Sequence, residues 1–206
     1  MWFPERGLHV SWSFWLLILL AVIVSPLTVV AAILTAAALH ELGHLAAMRY
    51  YGVSVKHFRL TALGAELDAP ALARLSYGRE LIITLAGVTV NLFCAILLAL
   101  LGLRTWREWC FVFAGAHLVL AAFNLLPVVP LDGARALCLA LSFFLGPATG
   151  ERITAAVSLA CSLALCALGL KLSLGLHSGW LFAFAAFGLL WGTLRQLGLA
   201  RGAKSV

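Results

Sequence analysis

Hydrophobic residues in this chain come in long unbroken runs. No Asp, Glu, Lys or Arg occurs from Leu8 to His40, from Leu81 to Leu103, from Cys110 to Leu131, from Ile153 to Leu170 or from Leu172 to Leu194. A helix needs about 20 apolar residues to cross a bilayer. The first run is too long for one crossing, and Ser25-Pro26 supplies a turn that splits it. The pattern predicts six spans, roughly 10–24, 27–50, 81–102, 109–127, 153–170 and 179–197. The expected fold is therefore an all-α polytopic membrane protein. The one long polar interval runs from Tyr51 to Gly78. Within it Val53 to Leu60 alternates with period two, residues 61–65 can turn the chain back, and Glu66-Leu67-Asp68 follows before Pro70. That reads as a small membrane-associated β-hairpin between the second and third spans.

Composition supports the membrane reading. Of 206 residues 64% are hydrophobic, only 11% are charged, and the mean hydropathy is +1.07. A soluble domain of this size requires more polar surface. With six spans both termini lie on one side. That side carries Arg6, Arg49, Lys56, Arg59, Arg74, Arg79, Arg135, Arg152, Arg195, Arg201 and Lys204; the other carries Arg104, Arg107 and Lys171. This asymmetry predicts cytoplasmic termini, and Trp12, Trp106, Trp109 and Trp180 near the span ends suit an interfacial belt. The same bias accounts for the net charge of +6 without a nucleic-acid partner. Arg6 alone is a weak start for a signal peptide, and no small-residue cleavage site follows promptly. Cys94, Cys110, Cys138, Cys161 and Cys166 lack C-x-x-C spacing and read as small apolar packing residues.

One motif carries chemistry. His40-Glu41-Leu42-Gly43-His44 matches H-E-x-x-H in a helical context. Residues four apart share a helix face, so His40 and His44 can address one ion. Imidazole suits zinc. Glu41 lies about 100° round the helix from His40. There it can act as general base toward an activated water without being a ligand. A chance match is expected on the order of half a per cent of the time, against a motif with a known mechanism. Glu41 also sits roughly 14 Å from the helix end at Tyr50. An ionisable residue at that depth marks a functional site by default.

A catalytic zinc usually takes three protein ligands and keeps one position open. Glu5, Glu66, Asp68, Glu80, Glu108 and Glu151 fall at span ends or in loops, which leaves Asp132. It follows Asn124-Leu125-Leu126-Pro127-Val128-Val129-Pro130-Leu131, where two prolines must break the helix. Such a break in a membrane requires protein or a wet cavity to satisfy the freed backbone. The second and fourth spans run in the same direction, so His44 and Asp132 both approach the cytoplasmic half. His117 is the rival ligand; it lies earlier in the fourth span, where a hydrogen-bonded structural role is the preferred reading. Two neutral His, Asp132, Glu41 and Zn²⁺ sum to about zero charge, which suits a low-dielectric site.

These paired motifs resemble the site-2 protease family of intramembrane zinc metalloproteases, and most of all its stage IV sporulation branch. The resemblance covers about Leu27 to Arg135, the expected catalytic core of a single domain over 1–206 with additional helices within 153–197. It implies one Zn²⁺ per chain held by His40, His44 and Asp132, with Glu41 as catalytic acid/base. It also implies that Asn124, in N-x-x-P-x-x-x-L-D-G, helps position substrate. Ala86-Gly87-Val88-Thr89-Val90-Asn91 is similar to a further family motif, A-G-P-x-x-N, but has Val88 in place of Pro. A substrate-positioning Asn91 and a helix–helix hydrogen bond stand level there. The hairpin likewise fits either a strand edge that receives an unwound substrate or padding between spans.

The implied activity is metalloendopeptidase hydrolysis in or near the transmembrane segment of a membrane-tethered protein, such as a pro-sigma or anti-sigma factor, in a bacterial cell membrane. The partners implied are that substrate, the bilayer and a regulatory membrane protein. No PDZ-sized insertion and no C-terminal nucleotide-sensing domain is expected. A divalent-metal transporter could also hold His and acids in a membrane, but it has no need of Glu between them. A non-catalytic scaffold would typically have lost Glu41 or a ligand.

Overall fold

The computed structural model describes residues 8–55, 57–61, 64–176, 186–195 and 198. The chain divides into two compact units, Met1–Ala122 and Phe123–Val206.

The first unit begins with strand β1 (Leu8–Val10) and helix α1 (Trp12–Val24). Ser25-Pro26 separates α1 from α2 (Leu27–Tyr50), as the sequence requires. Strands β2 (His57–Thr61) and β3 (Gly64–Asp68) pair antiparallel, with Phe58 opposite Leu67 and Leu60 opposite Ala65. A short 3₁₀ turn (Pro70–Arg74) leads into α3 (Tyr77–Thr105), and α4 (Glu108–Asn124) follows. The sheet has a third member that the alternation did not reveal: β1 pairs parallel with β2, Leu8 opposite Phe58. Apart from this small sheet, the regular elements among the described residues are helical, as expected.

Helices α2 and α3 are built inside out. On α2 the buried stripe is Ala32, Ala36, His40, Gly43, His44 and Met48, at helical spacing; on α3 it is Thr84, Gly87, Val88, Asn91 and Ala95. Small and polar residues face inward. Large apolar ones face out: Phe93 is 66% exposed and Ile96 63%. Water would penalise that arrangement, whereas lipid tails accept it, and small inward residues let helix backbones approach. Gly43 and Gly87 mark the closest approach. A Cβ on Gly43 would lie 2.9 Å from the Ala86 carbonyl oxygen and 3.0 Å from Gly87 Cα. Below this crossing Met48, Val53, Ala69, Leu72 and Ile83 form an apolar cluster that fixes the start of α3 against the end of α2.

The second unit opens with the last turn of α4 and the irregular segment 125–131. Helix α5 (Asp132–Leu145) and helix α6 (Pro147–Leu176) follow, then a helical stretch over 186–195. Helix α5 was not expected. Its 14 residues are too few for a crossing, and it falls between the expected spans 109–127 and 153–170. Pro147 then starts α6 at a position where its missing N–H costs nothing.

Three helices among the described residues are long and apolar enough to cross a membrane: Leu27–Tyr50, Tyr77–Thr105 and Pro147–Leu174. Helices α1 and α4, with 13 and 17 residues, reach only about 20 and 25 Å, short of a 30 Å hydrocarbon core. The expected span over 179–197 lies partly outside the described residues, as do Arg6, Lys56, Arg201 and Lys204 of the charge count and residues 62–63 of the hairpin turn.

Candidate metal centre

His40 and His44 lie one turn apart on α2, and both are buried. Their Nε2 atoms stand 3.1 Å apart, with the rings edge to face. Two nitrogens at 2.0–2.1 Å from one tetrahedral ion would stand about 3.3 Å apart. The pair is therefore already close to the spacing that one zinc demands.

The outer nitrogen of His44 fixes its tautomer. Its Nδ1 lies 2.8 Å from the Ile83 carbonyl oxygen. A carbonyl can only accept, so Nδ1 carries the proton and Nε2 presents a lone pair. Ile83 sits in the apolar cluster and is 2% exposed, which holds that carbonyl still. Access to it depends on Gly87, one turn along α3. A Cβ there would lie 2.5 Å from His44 Nε2, 2.8 Å from His40 Cε1 and 2.9 Å from His40 Nδ1. Gly87 is thus the floor on which both imidazoles rest, and only a residue without a side chain fits.

His40 is held from its other edge. Asn91, with no exposed surface, spans two rings: its Nδ2 lies 3.3 Å from His40 Nδ1 and its Oδ1 3.0 Å from His117 Nδ1. His117 is 1% exposed. The structure therefore brings together four sequence candidates of the first unit, His40, His44, Asn91 and His117. Glu41 follows His40 on α2 and is half-buried.

In the second unit Asp132 is the first residue of α5 and half-buried. A carboxylate there gains from the positive end of the helix dipole. Asn124 ends α4, half-buried. Between them the break is tiled by turns: Leu126 N–H donates to the Phe123 carbonyl, Val128 N–H to Leu126, and Leu131 N–H to Val128. Gly133 follows Asp132 because a Cβ there would strike the carbonyls of Leu125 and Leu126.

The sequence reading missed what satisfies the exposed backbone of the break. Val129 N–H donates to Ser158 Oγ at 2.8 Å, and Thr193 Oγ lies 3.3 Å from the Val129 carbonyl oxygen. Ser162 completes the hydroxyl cluster, 3.3 Å from Thr193, and donates to the Ser158 carbonyl. All three side chains are buried. The signal was present as Ser and Thr inside apolar runs, but nothing local pairs them with Val129.

No family model matches the chain, and no curated protein does either. Among solved structures it is similar to the Site-2 Protease from Methanocaldococcus jannaschii, with a TM-score of 0.69, 22% identity, and coverage of 91% of this chain and 89% of that one. The chain shares that protein's fold.

Proposed function

We propose that the chain is an intramembrane zinc metalloprotease of the site-2 protease kind. The observation that carries this is the His40–His44 pair, preset at 3.1 Å with His44 Nδ1 committed to a carbonyl. Asp132 is proposed as the third ligand, which would make a donor set of two imidazoles and one carboxylate. That donor set fits zinc and leaves a fourth position for water. The shared fold supports the same reading.

A zinc held there would supply Lewis-acid chemistry, activating water and polarising a carbonyl. The chain's own residues would do the rest. His40 and His44 would present their Nε2 atoms from one helix face. Glu41 takes a proton from the attacking water and returns it to the leaving amine, so no covalent intermediate forms. Asn124 is proposed to orient the substrate backbone.

The substrate is proposed to be a membrane-tethered protein cut in or near its transmembrane segment, with a membrane protein as regulator. Both termini would face the cytoplasm, and α1, α4 and the C-terminal helical stretch would complete six membrane segments. The sporulation branch is proposed on the motif spacing alone.

The test is the zinc content of the purified protein beside Asp132→Ala. About one zinc per chain, lost or much weakened in the variant, is expected for a three-ligand site. A wild type that takes up no metal in chelator-free buffer would sink the proposal.

A further inference from the structure

Asn91 has no exposed surface. In a membrane-embedded helix pair, both ends of a buried amide must be matched by protein. Here the matches are two imidazole nitrogens on different helices, His40 Nδ1 and His117 Nδ1. Asn91 is therefore committed at both ends before any substrate arrives.

We infer that Asn91 is a positioning residue for His40, and that His117 sets which way the Asn91 amide faces. The inference rests on the proposed ligation through His40 Nε2. A neutral imidazole carries one proton. If Nε2 gives its lone pair to a metal, the proton sits on Nδ1 and must be donated to an acceptor. The group beside Nδ1 is Asn91, and only the carbonyl end of its amide accepts.

In the structure the Asn91 NH₂ faces His40 Nδ1 and its Oδ1 faces His117 Nδ1; the two ends of an amide have nearly the same shape, so a half-turn exchanges them in place. The two orientations differ in consequence. With the carbonyl toward His40, Nδ1–H has its acceptor. The NH₂ then donates to His117 Nδ1, and the His117 proton resides on Nε2. With the amide as the structure has it, an N–H faces His40 Nδ1, and the His40 proton is driven onto Nε2. That proton points at His44 Nε2, 3.1 Å away, in the place a metal would occupy. One amide rotation thus decides whether His40 offers a lone pair. His117 shares in the choice: its Nδ1 donates to the Asn91 oxygen in the orientation shown and must accept from the NH₂ after the half-turn, which gives a buried histidine a task that is not ligation.

The test measures zinc affinity of the full-length protein in detergent by chelator competition, with the cobalt(II) absorption spectrum as second readout. Asn91→Leu should weaken zinc about 10- to 100-fold, the usual cost of an outer partner, and alter the cobalt bands. Asn91→Asp should restore affinity, because either carboxylate oxygen accepts from Nδ1–H. His117→Leu should weaken zinc alone, yet cost nothing further when combined with Asn91→Asp, since a carboxylate has no wrong end. This last comparison stands even if Asn91→Leu does not fold.

Equal losses in Asn91→Leu and Asn91→Asp would reduce Asn91 to packing and overturn the inference. So would an Asn91→Leu that keeps its zinc affinity and only raises KM, the mark of a substrate contact. A His117→Leu loss of equal size in both backgrounds would overturn its part. Zinc binding that survives His40→Ala would instead remove the ligand reading beneath it.

Discussion

Gly87→Ala adds one methyl group at the floor of the metal centre. That carbon would stand 2.5 Å from His44 Nε2, 2.8 Å from His40 Cε1 and 2.9 Å from His40 Nδ1. Ordinary contact begins at about 3.5 Å, so the rings must recede by roughly 0.6–1 Å. Neither ring has slack. His44 is tied to the Ile83 carbonyl and His40 is held by Asn91. Helix α2 can back away only by opening the close contact that Gly43 makes with Ala86 and Gly87. Metal–ligand distances tolerate only about 0.2 Å. Zinc affinity is therefore expected to fall by on the order of 100-fold. Overpacking should also lower stability by about 1–3 kcal/mol. Chelator competition on the purified variant measures the first effect and thermal unfolding the second. Gly78→Ala is the control, since nothing lies within 4 Å of a Cβ there. A Gly87→Ala protein that binds zinc within about threefold of wild type would refute the reasoning, because the rings would then have the freedom denied them here.

Glu41→Gln should retain zinc while turnover falls by about 10²- to 10⁴-fold, measured on a membrane-tethered reporter substrate; unaltered cleavage would end the general-base assignment. Ser158→Ala removes the acceptor for Val129 N–H and should cost about 1–3 kcal/mol. That corresponds to a melting point lower by several degrees, about 2–4 °C per kcal/mol. An unchanged melting point would mean that Val129 finds another partner.

The sequence made the local geometry legible and left the distant pairings dark. His40 and His44 could be paired on paper because the helical repeat alone puts them on one face. The split at Ser25-Pro26 and the break around Pro127 and Pro130 could be read because proline acts on its own neighbourhood. Asn91 lies 51 residues from His40 and 26 from His117. No spacing rule links residues that far apart, so Asn91 could be recognised as a candidate but not given its neighbours. The same holds for β1, whose partner strand is some fifty positions on. Its three residues were absorbed into the apolar run that follows. Helix α5 was hidden for a different reason: its start at Asp132 and its end at Gly146-Pro147 are both marked, but its 14 residues are too few to register as a span. Gly87 is the instructive case: it stands in the Ala86–Asn91 motif, but nothing in the sequence says that the helix face it meets consists of two imidazole rings.

The hydroxyl cluster on Val129 sets an order in time. The segment that carries Asp132 has its backbone N–H tied to a side chain 29 residues later and its carbonyl to one 64 residues later. At about 5–20 residues per second of synthesis, the second partner emerges several seconds after the first half of the break. Until Ser158 and then Thr193 arrive, Val129 has polar groups with no partner in the bilayer. A chain still attached to the ribosome can thus display the His40–His44 pair long before the Asp132 segment is held in its final shape. Whatever activity the finished molecule has, its half-made form is built last where the carboxylate sits.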